Sequence, residues 1–134
     1  MSFFLYMSIP YEVENILEYF GKEISLEDIT ETELGDSIRG QKDTAKVYVI
    51  TVNMYSQDLI DRGYWRNKKS FLFINAVKKL ITKIPYVSYV IHFGHLGQDC
   101  GIEIKEKRKI SITQFEDIYP LCEEDVKYYV MQGR

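Results

Sequence analysis

Apolar residues recur along this chain in two rhythms, one of period two and one near 3.6, and their alternation predicts the elements. Phe3 to Met7 is a short aromatic-rich run that predicts a buried first strand. Pro10 then suits the first turn of a helix, where a missing N–H costs nothing. Val13, Ile16, Leu17 and Phe20 give that helix one apolar face, with Glu12, Glu14 and Glu18 turned to solvent and Gly21 closing it. Between Ser25 and Gly40 the pattern divides. Ser25 with Asp28 three residues on resembles a capping box for a short helix through Leu26, Ile29 and Leu34, while the threonines and glycines fit a loop equally well.

Ala45 to Asn53 is almost continuously apolar and predicts a strand covered on both faces. A polar, aromatic connection from Met54 to Lys69 leads into the strongest helical stripe. Phe73, Val77, Leu80, Ile81 and Ile84 mark its buried side, Lys78, Lys79 and Lys83 its outer side, and Pro85 its end. Tyr86 to Phe93 predicts another strand, followed by a turn at Gly94, Gly97 and Gly101. Ile102–Ile104 and Ile110–Ile112, joined through Lys105 to Lys109, predict a charged hairpin. Val126, Tyr129 and Val130, preceded by Glu123, Glu124 and Asp125, predict a final helix with acids at its positive end. The order is β-α-(α)-β-α-β-β-β-α. It implies an α/β (α+β) fold with a mixed sheet of about five strands flanked by helices, parallel or mixed in its early pairing and antiparallel in the late hairpin. At 134 residues the whole chain, 1–134, is expected to form a single domain.

Charge changes this picture more than composition does. The formal net charge is only −3, yet its sign is segregated. From Tyr11 to Asp36, nine acids face Lys22 alone: Glu12, Glu14, Glu18, Glu23, Glu27, Asp28, Glu31, Glu33 and Asp36. From Arg62 to Lys109, eleven cations face only Asp99, Glu103 and Glu106. Such segregation raises the odds of a polarised surface field. No apolar run reaches the length of a membrane span, and the opening residues lack a basic leader, so a cytoplasmic chain is expected. Cys100 and Cys122 lack CxxC spacing and read as free thiols, and neither a metal nor another cofactor is expected.

Catalytic motifs are absent. Gly94, Gly97 and Gly101 form neither a phosphate loop nor a dinucleotide turn, and there is no GxSxG elbow. His92, His95, Asp99 and Cys100 gather around a strand end and turn, where histidine could act as a base and cysteine as a nucleophile. Their spacing matches no established motif, so two ordinary polar histidines are the simpler account. Arg62-Gly63-Tyr64-Trp65-Arg66-Asn67-Lys68-Lys69 interleaves cations with aromatics and could stack bases, although a basic helix entry explains it more simply.

In profile the chain resembles the immunity proteins of bacterial toxin systems, such as contact-dependent growth inhibition. The features that carry the resemblance are the opening strand Phe3–Met7, the acidic segment Glu12–Asp36, the late hairpin and the missing active site. The resemblance implies a small protein-binding inhibitor, not an enzyme, that covers the basic active site of a cognate toxin, for example a nuclease. The carboxylates expected to face that partner are Glu12, Glu14, Glu18, Glu27, Asp28, Glu31, Glu33 and Asp36, with Tyr11, Tyr19 and Tyr119 nearby as anchors. The alternatives are a small enzyme built on the His92–Cys100 turn and a nucleic-acid binder using Arg62–Lys69.

Overall fold

The computed structural model describes residues 2–10, 13–22, 24–39, 46–51, 68–94, 102–117 and 125–132. Their order is β1 (Ser2–Ile9), α1 (Ile16–Phe20), β2 (Ser25–Asp28), α2 (Glu33–Arg39), β3 (Lys46–Thr51), α3 (Lys68–Leu80), β4 (Tyr86–Gly94), β5 (Glu106–Ser111), α4 (Ile112–Asp117) and β6 (Val126–Met131). The strands form one six-stranded sheet in the order β2-β3-β1-β4-β6-β5. Neighbours pair antiparallel throughout except β5 with β6, which are parallel. The α+β class is the expected one, with one strand more than anticipated.

Period-two alternation sorts the strand residues onto two faces. Leu5, Met7 and Ile9 of β1, Ile50 of β3, Val87, Tyr89 and Ile91 of β4, and Val126, Tyr128 and Val130 of β6 join the larger core. That core is closed by Phe73, Ile74, Ala76, Val77 and Leu80 of α3, by Ile81 and Ile84 just beyond it, by Phe20 of α1 and by Phe115 of α4. Tyr6, Val47, Val49 and Val90 point the other way and pack under Ile29, Leu34 and Ile38 and against Ile102. β3 is therefore apolar on both sides, and α3 buries the stripe its sequence predicts.

Four expectations are overturned. Ser25–Asp28 is a strand, not the start of a helix, and α2 begins only at Glu33. Thr32, not Ser25, supplies the capping oxygen, accepting from Gly35 N at 3.0 Å. Residues 126–131 form a strand instead of the final helix, because Val126, Tyr128 and Val130 alternate onto the core while Lys127 and Tyr129 face away. A run so rich in apolar residues satisfies either period. The late hairpin does not form: the charged segment 106–111 is itself β5, Ile112 opens α4, and 102–105 belongs to no helix or strand. Accordingly the parallel pair among the described strands is the late one, and the early pairs are antiparallel where parallel or mixed pairing was expected.

α1 is also shorter than its apolar stripe. Asn15 takes a left-handed φ of 55°, which prevents the helix from extending back toward Pro10, and Leu17 remains 58% exposed. Among the described residues no helix is long and apolar enough to cross a membrane.

Candidate functional site

The acidic segment is divided by the sheet. Glu14 and Glu18 belong to the α1 region, which packs with α3 over the larger core; Glu31, Glu33 and Asp36 ride on α2 and its approach, over the opposite face. Glu27 and Asp28 stand on β2, the edge strand between those layers. Glu12 lies outside the described residues.

On the α1 side acid meets base. Glu14, Asn15, Glu18 and Tyr19 form one wall of an open cleft of about 430 Å³, and Lys79 and Lys83 of the α3 region form the other. The Lys83 ammonium donates to Tyr19 Oη at 2.8 Å and lies 5.2 Å from the centre of the same ring. The cations that the sequence separates from the acids by some sixty positions thus share a cleft with Glu14 and Glu18, while no ion pair joins them among the described residues.

On the β2–α2 rim Asp28 is ion-paired with Lys46 at 3.9 Å. No ion pair engages Glu27, Glu31 or Glu33 among the described residues, and all three are exposed. The segment that carries them is held firmly. Asp28 Oδ1 accepts from Thr30 Oγ1 at 2.5 Å and from Thr30 N at 2.9 Å, and Thr30 Oγ1 accepts from Val47 N at 2.9 Å. The Thr30 hydroxyl, then its amide, hold the Asp28 carboxyl below the ordinary range; Lys46, 3.9 Å away, adds to this against the opposing effect of partial burial. Burial, and then the charge of Asp28, push the Tyr48 phenol up.

The helix that follows is pinned at three points. Thr32 Oγ1 donates to Ile29 O at 2.6 Å while capping Gly35 N. A Cβ at Gly35 would lie 2.1 Å from Ile29 O, so only glycine lets α2 fold back this closely on residues 29–30. Ser37 Oγ accepts from Ile102 N at 2.9 Å. At the C-terminal end, the Lys127 ammonium, buried to 2% exposure, donates to Ile38 O at 2.7 Å. That cation donates to a carbonyl of the last turn, at the negative end of the helix.

Of the residues expected to form a catalytic turn, His92 alone is described; His95, Asp99 and Cys100 lie outside the described residues. His92 Nδ1 lies 2.6 Å from Asp125 Oδ1, with the two side chains 17% and 15% exposed. Asp125 adopts a left-handed φ of 61°, its N–H donates to Ile91 O and its own carbonyl accepts from Lys105 N, each at 2.9 Å. This turn aims the carboxylate at the imidazole, fixing the ring as an orienting carboxylate does in base catalysis. No spacing signal could have revealed a partner 33 residues away. Among the described residues no group of three or more histidines, cysteines or acids could hold a metal ion. Of the basic aromatic segment, Lys68 and Lys69 open α3, and 62–67 lies outside the described residues. The sequence matches no protein-family model, no curated protein and no solved structure.

Proposed function

We propose that this chain is a protein-binding inhibitor that neutralises a cognate toxin, as an immunity protein does, by presenting fixed carboxylates to a basic active site. The observation that carries this reading is the β2–α2 rim, where Glu27, Glu31 and Glu33 lack a cation among the described residues on a segment locked by Asp28, Thr30, Thr32 and Gly35. Preorganised, unneutralised acids attract a basic partner over long range and lose little entropy on contact. Glu14 and Glu18 contribute less, because Lys79 and Lys83 face them.

The test begins with the gene's neighbours. A large secreted effector encoded directly upstream supplies the probe, its C-terminal domain, for stopped-flow binding. Reversing Glu27, Glu31 and Glu33 to lysine is expected to slow association by about tenfold or more at low salt, with a smaller effect on dissociation. Unchanged association kinetics would remove the rim from the interface, and neighbours belonging to a metabolic pathway would remove the inhibitor reading itself.

A second reading rests on the His92–Asp125 pair as the base of a small enzyme. It requires that His92→Gln abolish a turnover while circular dichroism and thermal unfolding stay near those of the parent chain.

A further inference from the structure

The two edges of the sheet carry opposite charge and run in the same direction. β2 is parallel to β1, being antiparallel to the β3 that both flank; β6 is parallel to β1 through β4, and β5 is parallel to β6. Side chains on these edges also sort consistently by face. Glu27 is registered with Val49 and shares the α2 face, while Asp28 is registered with Tyr48 on the α3 face. On β5, Lys107 and Lys109 are registered with Lys127 and Tyr129 and share the α2 face, while Arg108 is registered with Tyr128 on the α3 face. Glu27, Lys107 and Lys109 are exposed and have no ion-pair partner among the described residues.

We propose that a second copy of this chain docks edge to edge, with β5 of one molecule lying parallel beside β2 of the next and the sheet continuing from copy to copy. With faces aligned, Glu27 of one copy meets Lys107 or Lys109 of its neighbour on the α2 face, and Asp28 meets Arg108 on the other. Contacts between like edges fail on charge. β2 against β2 sets Glu27 and Asp28 beside their own equivalents, and β5 against β5 does the same to the lysines, which like-charge repulsion disfavours. An antiparallel β2–β5 contact also opposes unlike charges, but it turns the neighbour over, so that the α2 layer of one copy would adjoin the α3 layer of the next instead of continuing it.

Such a contact is heterologous, so it propagates instead of closing into a symmetric dimer. It is also small. β2 has four residues, spanning about 13 Å, well short of a stable interface, so association is weak, concentration-dependent and screened by salt. The inference does not depend on the inhibitor reading; a basic partner and a second copy would compete for Glu27.

Sedimentation velocity on the full chain decides it. At about 0.05 M salt the weight-average mass should rise from the monomer with concentration, and at about 0.5 M it should stay at the monomer value. Glu27→Lys alone, and Lys107→Glu with Lys109→Glu in a second chain, should each weaken association by about tenfold. Mixed together, the two variants should associate again, because each supplies an edge complementary to the other. That recovery is unavailable to chains that have merely misfolded. A wild-type chain that stays monomeric at about 1 mM in low salt, or a mixture that stays monomeric while the parent associates, overturns the proposal.

Discussion

On the α3 face of the sheet, Phe73 stacks against Phe20 at 6.3 Å and meets Tyr89 and Phe115 edge-on at 5.8 and 6.1 Å, and Tyr89 stacks on Tyr128 at 5.2 Å. On the α2 face, by contrast, the apolar cluster of Tyr6, Val47, Val49 and Val90 shares the interior with Ser8, Ser88 and Lys127, all at 2% exposure or less. Ser8 Oγ there has no hydrogen-bond partner among the described residues. The first face is secured by area and ring geometry, which are tolerant of small displacements. The second is secured by individual polar contacts: Lys127 to Ile38 O, Ile102 N to Ser37 Oγ, and Ser88 Oγ to Ser8 O. The difference bears on the proposed function, since the polar-tethered face is the one whose helix carries Glu33 and Asp36.

The strongest way to break this asymmetry is to empty the aromatic cluster. Phe73→Ala should cost about 3–5 kcal/mol in chemical denaturation, and hydrogen exchange should accelerate on both faces together, because the whole sheet loses its support. Lys127→Met comes next. It keeps most of the apolar stem but removes the Lys127 donor to Ile38 O, and should cost about 1–3 kcal/mol. Its signature is local, with amide exchange rising across α2 while α3 stays protected; equal acceleration in α3 would show that the two faces are not separately secured. The smallest effect is expected at the rim, from Asp28→Asn. The folded-state carboxyl is depressed, so the charged form contributes stability above its unfolded pKa, and that contribution is lost as pH falls through the folded value. With Asp28 half exposed, the loss at neutral pH should stay below about 1 kcal/mol. The variant should flatten the acid limb of the stability curve, and an unchanged limb would mean that Thr30 does not favour the ionised form.

What the sequence made legible follows from how unambiguous each period was. The stripe Phe73, Val77, Leu80, Ile81, Ile84 fits a helix and nothing else, and Val47 to Ile50 is bulky and β-branched enough to demand a strand. The segment Val126–Met131 fits both periods, and tertiary pairing with β4 and β5 decided in favour of the strand. β5 escaped notice because Glu106 to Lys109 are charged, as edge strands often are. The charge blocks were visible in the chain. That Lys79 and Lys83 would return to Glu14 and Glu18, and not to Glu27, Glu31 or Glu33, depended on α1 packing beside α3. The pairing of His92 with Asp125 arises from strand register across β4 and the turn into β6, which no local pattern encodes.

The strand order has a consequence for assembly of the chain itself. β6, the last strand in sequence, lies between β4 and β5. Although β5 is made first, its strand neighbour among the described residues is β6, so its place in the sheet is set once the residues after Asp125 have inserted beside β4. Folding therefore waits on a long-range closure, which slows the search relative to a hairpin that zips from its turn. A nascent or truncated chain lacking 126–131 retains the complete β2–α2 rim but leaves Ile38 O without its lysine and Lys107 and Lys109 without a scaffold. The acidic display is thus finished by the last strand to arrive, and an incompletely made molecule is poorly equipped to present it.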